Sequence, residues 1–205
     1  ARSKEPVTLP SKLPMLLMLG TEGIAVGLSS KILPHNFIEL LEAQIAVLRK
    51  QSFELFPDFV TGGLMDASDY DDGRGSIRIR AKLKVKDSST LLITEIPPAT
   101  TTESLIGSIE DATKKGKLRV RSINDYTAEK IEIEIKAPVG MEAEKLIPAL
   151  YAFTACEIPI SSRITVIRDN RPVEMTVSEV IKENTQSLVD LLRRELELKE
   201  RKLLE

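Results

Sequence analysis

The chain has 205 residues, and 29 Lys and Arg stand against 31 Asp and Glu, a formal charge of −2. That balance excludes a uniformly basic nucleic-acid binder but leaves room for a segregated basic face; 42% hydrophobic and 29% charged residues describe a folded chain. With no Trp, three Tyr and five Phe, a stacked-aromatic platform is disfavoured, and one Cys with one His excludes both an internal disulfide and a four-ligand Cys/His zinc site. No apolar run approaches the roughly 20 residues that span a bilayer. The N-terminus carries no signal-peptide pattern, so a cytoplasmic location is expected.

Residues 1–34 are punctuated by Pro6, Pro10, Pro14 and Pro34 around Gly20-Thr-Glu-Gly23-Ile-Ala-Val-Gly27. Asn36 stands at an N-cap position with Glu39 three residues on, and Phe37, Leu40, Leu41, Gln44/Ile45 and Leu48 follow helical spacing, which predicts a helix over 37–50. An acidic loop with Asp66, Asp69, Asp71 and Asp72 ends in Gly73-Arg74-Gly75. From 76 to 86 the period becomes two, with Ile77, Ile79, Ala81, Leu83 and Val85 on one side and Arg78, Arg80, Lys82, Lys84 and Lys86 on the other. A second strand, 91–96, stops at Pro97-Pro98.

Thr102 is expected to cap a helix running to Lys115 and ending at Gly116. Residues 118–121 and 130–136 read as a strand pair, and 141–152 as a short helix with Pro148 inside it. A hairpin over 163–173 turns at Asp169-Asn170. Thr176 and Glu179 then form a capping-box pattern, opening a helix that runs to Glu205 with Ile181, Leu188, Leu192, Leu196 and Leu203 along one stripe. No stop signal follows, as expected of a segment cut from a longer chain. The pattern is α+β, with mixed and antiparallel sheets, packed helices and a long C-terminal helix.

Enzyme motifs are missing. The 20–27 segment is neither a dinucleotide fingerprint nor a phosphate loop, His35 has no G-x-S-x-G partner, and the 66–72 acids lack calcium-loop spacing. The basic strand is different: six cations and no acid lie within 74–86. Alternate side chains about 6.6–6.8 Å apart form a cationic row suited to a phosphate backbone, unless Glu132 and Glu134 on a neighbouring strand neutralise it. Ile24, set between Gly23 and Gly27, has two readings. It is an ordinary buried turn residue, or a wedge of the kind that enters a base step and kinks a duplex.

The strings Glu5-Pro6, Leu9-Pro10-Ser-Lys-Leu-Pro14, Leu16-Leu17, Gly20-Thr-Glu-Gly23-Ile-Ala-Val-Gly27 and Pro34-His35-Asn36 closely resemble the A subunit of bacterial type IIA topoisomerases, DNA gyrase and topoisomerase IV. The resemblance continues through Gly73-Arg74-Gly75, Thr94-Glu95-Ile96-Pro97 and the hairpin before the last helix, and so covers essentially the whole chain. It implies a tower (shoulder) domain over 1–174 and, over 175–205, the truncated first helix of a coiled-coil arm. It gives Ile24 the intercalating role, and it places Thr21, Lys31, His35, Asn36, Arg74, Arg78, Arg80 and Lys82 as DNA-binding candidates.

The family's nucleophile is a tyrosine in an Arg-Tyr-Thr context upstream of the Glu-Pro string; Tyr70, Tyr126 and Tyr151 lack that context, so the segment is expected to be inactive alone. In the parent enzyme, paired tyrosines open a transient double-strand break and ATP drives a second duplex through it. The resemblance assigns no cofactor or metal to this segment and gives Mg²⁺ and ATP to the partner B subunit. The implied partners are double-stranded DNA, the B subunit, and a second A subunit; no membrane is involved. The competing reading is a protein-interaction or oligomerisation module acting through the C-terminal amphipathic helix.

Overall fold

A computed structural model of the chain describes residues 10–168 and 170–204. Glu5-Pro6 and Leu9 of the resemblance, Asp169 of the expected turn and the helix end at Glu205 lie outside the described residues. In chain order the elements begin α1 (Met15–Leu19), β1 (Thr21–Ala25), β2 (Leu28–Ile32), α2 (Phe37–Leu48), β3 (Leu64–Asp66), β4 (Ser76–Arg80), β5 (Lys82–Asp87) and β6 (Thr90–Glu95). They continue α3 (Thr102–Lys114), β7 (Ser122–Asp125), β8 (Ile133–Lys136), α4 (Ile147–Phe153), β9 (Glu157–Ser161), β10 (Thr165–Arg168), β11 (Arg171–Glu174) and α5 (Val177–Leu204). This is the expected α+β chain: every strand pairing is antiparallel, and a long helix closes it. Two compact units contain these elements, one drawn from the described residues of 10–58, 71–75 and 162–204, the other from 59–70 and 76–161.

In the first unit, the expected irregular segment at 20–27 is instead a hairpin, β1 against β2, with Ala25 opposite Leu28 and Val26-Gly27 as its two-residue turn. Its residues alternate no apolar face, which is why no period-two signal marks it; all five residues of β1 are exposed. Gly20 is needed at its foot, because its φ is +65° and a Cβ there would lie 2.6 Å from the Ile32 carbonyl oxygen. Helix α2 is capped by Asn36, whose Oδ1 accepts from the Ile38 N–H at 2.9 Å. Its buried stripe is Leu40, Ala43 and Gln44, whereas the expected Phe37, Ile45 and Leu48 are exposed. Gln44 takes the inner place because its Nε2 donates to Asn184 Oδ1 on α5 at 2.8 Å. The capping box of α5 is present: the Glu179 N–H donates to Thr176 Oγ1 and the Thr176 N–H to Glu179 Oε2, at 3.1 and 2.8 Å. Asp72, from the acidic segment, caps the same helix by accepting from the Ser178 N–H at 3.2 Å.

In the second unit, β3-β4-β9 and β5-β6-β8-β7 form a three- and a four-stranded sheet. Leu91, Ile93, Ile133 and Ile135 from the larger sheet bury completely with Leu105 and Ile109 of α3 and Leu150 of α4. Each such side chain contributes about 1.5–3 kcal/mol by leaving water. The strand expected over 76–86 is two strands in two sheets. Ala81 is the joint: it is fully buried, its N–H donates to the Cys156 carbonyl at 2.7 Å and its carbonyl accepts from the Tyr151 hydroxyl at 2.9 Å.

Three boundaries also move. Thr101, not Thr102, caps α3, with Ser104 completing a capping box. The strand expected at 118–121 is β7, because the ladder begins where the Arg121 N–H donates to the Lys136 carbonyl, while Leu118 packs into the core. The helix expected over 141–152 is a 3₁₀ turn, Ala143–Leu146, followed by α4, with Pro148 in its first turn where a missing N–H costs nothing.

Candidate nucleic-acid interface

The first unit presents the apolar tip. Ile24, paired across the hairpin with Ser29, is 88% exposed, and Val26 in the turn is fully exposed. An ordinary buried turn is therefore excluded for Ile24. A side chain at Gly23 would meet nothing within 4 Å, so the backbone flanking Ile24 is open to close approach. Sequence reasoning missed Val26; a Val-Gly pair between two strand-length segments is its only signal.

The polar candidates of this unit are differently placed. Thr21 is exposed at the start of β1. Lys31 faces Glu22 across the hairpin at 3.1 Å, which matches its charge. His35 is only 3% exposed; its backbone N–H donates to the Leu17 carbonyl at 2.8 Å, and burial holds its imidazole below the ordinary 6.5 despite Asp72 and Asp58 nearby. Burial of the ring in this position disfavours its charged form and keeps it from projecting toward a phosphate. Asn36 is committed on both sides of its amide, capping α2 and donating through Nδ2 to Asp58 Oδ2 at 3.0 Å. Arg74 lies 3.8 Å from Glu179 and is exposed.

The second unit carries the basic strand, split between β4 and β5. Arg78 stands 3.8 Å from Asp66, and Arg80 pairs with Glu157 while lying over the Tyr151 ring at 4.9 Å. Lys82 reaches Glu95 at 2.9 Å, and Lys86 reaches Glu134 at 3.1 Å. Lys84 makes no ion pair among the described residues. Of the two acids expected to neutralise the row, Glu134 does so, shared with Lys136 at 3.4 Å; the others are Asp66, Glu157 and Glu95. Those contacts link residues 12 to 77 positions apart, so no sequence signal marks them.

Glu95 and Glu134 are held ionised. The Gly63 N–H, then Lys82, keep Glu95 below the ordinary carboxylate value, and the Lys86 ammonium does the same for Glu134. A hydrogen bond to Glu157 raises the Arg80 pKa. All four cations are about half exposed, but Glu134 is buried, so it is the pairs of Arg78, Arg80 and Lys82 that lie open enough to exchange an acid for a phosphate oxygen. Burial pushes the Cys156 thiol up to about 11, which removes it as a nucleophile near neutral pH. Among the described residues, no three His, Cys, Asp or Glu side chains come together as a metal site, and no helix is long and apolar enough to cross a membrane.

This α+β architecture with its long final helix is the class implied by the resemblance to the A subunits of DNA topoisomerases. The family model for the DNA gyrase/topoisomerase IV A subunit matches residues 1–205, and the chain belongs to that family. It is 45% identical over 204 residues to the DNA topoisomerase 4 A subunit of Borreliella burgdorferi, covering 100% of this chain and 33% of that one. It is 32% identical to the DNA gyrase A subunit of Chlamydia muridarum (93% of this chain, 25% of the relative) and 32% identical to that of Lawsonia intracellularis (87% and 24%). The chain thus spans 24–33% of the length of these curated relatives.

Proposed function

We propose that the chain is the DNA-binding and DNA-bending tower segment of a type IIA topoisomerase A subunit, whose whole enzyme makes transient double-strand breaks and passes a second duplex through them with ATP. The observation that carries this reading is Ile24, 88% exposed at the tip of a two-stranded hairpin beside the equally bare Val26. An aliphatic side chain held in water on a narrow projection gains free energy when it enters an unstacked base step. Smoothly bending a 20–30 bp site by 40–90° costs on the order of 1–6 kcal/mol. The Ile24 wedge, together with Arg74, Arg78, Arg80 and Lys82 exchanging their surface acids for phosphates, offsets that cost.

In this reading residues 1–174 are the tower and 175–205 begin the coiled-coil arm, the nucleophilic tyrosine lies elsewhere in the parent protein, and the enzyme works in the cytoplasm as an A-subunit dimer with its B subunit. Mg²⁺ and ATP belong to the B subunit; no step runs through residues of this chain. The test is Ile24→Ala in the intact A subunit in complex with its B subunit. DNA bending and cleavage should fall by about tenfold or more while linear-duplex affinity stays within about twofold. Unchanged bending and cleavage would remove the wedge role.

A second reading, a protein-interaction surface, is favoured by one observation: Leu192, Leu196 and Leu203 of α5 are exposed. In the family this helix pairs with a returning antiparallel helix. Sedimentation of the isolated segment across a concentration series tests it, and a strict monomer argues against a strong self-association surface.

A further inference from the structure

A two-stranded hairpin with every residue of one strand exposed is marginal on its own in water. A wedge, however, must transmit force without folding back. Within the first unit the stiffening comes from a neighbour, because the segment leading into β10 bridges to β2 at a single residue pair. The Lys31 N–H donates to the Arg163 carbonyl at 2.7 Å, and the Arg163 N–H returns a bond to the Lys31 carbonyl at 2.9 Å. Above that pair the backbone ladder gives way to hydroxyls. Thr165 Oγ1 donates to the Ser29 carbonyl at 3.0 Å, and the Thr165 N–H donates to Ser30 Oγ at 3.2 Å, which itself donates to the Arg163 carbonyl at 3.4 Å. Ser29 is the residue directly across the hairpin from Ile24.

We infer that Thr165, seconded by Ser30, is a positioning residue for the Ile24 wedge: its hydroxyl pins the strand opposite Ile24 to the β10–β11 hairpin and so fixes the angle at which the tip meets DNA. The inference rests on the wedge reading above. Thr165 touches no DNA in this scheme, and its effect passes wholly through the Ser29 carbonyl. That carbonyl lies in an exposed part of the unit, so water satisfies it when the hydroxyl is removed, and what is lost is geometry rather than folding.

The test uses the intact A subunit with its B subunit, plus a duplex labelled at both ends, read for bending by energy transfer, for cleavage, for linear-duplex affinity and for Tm. Thr165→Val, which keeps the β-branch and removes the hydroxyl, should lower bending and cleavage about fivefold with affinity and Tm unchanged, a loss of the size of one hydrogen bond. Thr165→Ser should restore both to within about twofold, and Thr165→Val should add nothing on an Ile24→Ala background. If Thr165→Val does not fold, Ser30→Ala is held to the same criteria. Wild-type bending in Thr165→Val and Ser30→Ala, while Ile24→Ala is impaired, overturns the inference and leaves the wedge reading intact; so does a double variant whose losses multiply. Wild-type bending in Ile24→Ala overturns both.

Discussion

The hairpin tip of the first unit and the basic strand of the second carry opposite kinds of information. At the tip, Ile24 and Val26 are apolar and bare among the described residues. Along β4 and β5 the cations are polar, half exposed and already engaged by acids from other strands. An exposed aliphatic group on a narrow projection stores a driving force that only a partner can release. A neutralised cation stores less, because its gain on meeting a phosphate is offset in part by the surface acid it gives up. The bare apolar tip, more than raw charge, is what separates this chain from an ordinary acidic globule.

The comparison would break first on stability. Ile133→Ala in the second unit's core should cost about 2–5 kcal/mol in urea unfolding. Ile24→Ala should stay within about 0.5 kcal/mol, since the side chain is 88% exposed and buries little area; a larger loss there would mean the tip is packed and not presented.

A smaller effect separates the units by pH. Burial sets His35 in the first unit below its ordinary 6.5, so its contribution is present above 6.5 and is lost as pH falls from there toward the lowered folded value. In the second unit Glu95 and Glu134 sit below their ordinary 4.5, so their contributions persist above 4.5 and are lost only as pH falls through their still lower folded values. Hydrogen exchange should therefore show α2, whose cap follows His35, losing protection as pH falls below about 6.5 while β6 and β8 hold. Simultaneous loss in both units would contradict this.

The smallest effect sharpens the charge side. Glu157→Gln releases Arg80, so duplex affinity at low salt should rise and the slope of log affinity against log salt should steepen by up to about 0.9. An unchanged slope would take Arg80 out of the phosphate-contacting set.

Much of the fold was legible where local rules suffice. The Thr176–Glu179 capping box, the Asn36 cap, the stop at Pro97-Pro98 and the alternation of Ile133 and Ile135 all act within a few residues, and all are present. Legibility failed where a distant partner decides. The uniform alternation over 76–86 concealed the change of sheet at Ala81, which depends on Cys156 and Tyr151 some 70 residues on. The β1–β2 hairpin carried no amphipathic period because β1 is exposed throughout and β2 meets the core only at its last residue, Ile32.

For the candidate site, the amino-acid sequence by itself determined the chemistry: an isoleucine between glycines, six cations without an acid within 74–86, and no nucleophile–base pair. It also carried the family, since those strings are local and ordered along the chain. Only the tertiary structure decided which of these residues stand free to act. It bared Ile24 and Val26, buried His35, tied Asn36 to a helix cap and matched Arg78, Arg80 and Lys82 with acids from other strands. The physical reason is that exposure and charge pairing are properties of what surrounds a side chain, and the chain brings those surroundings together only when it folds.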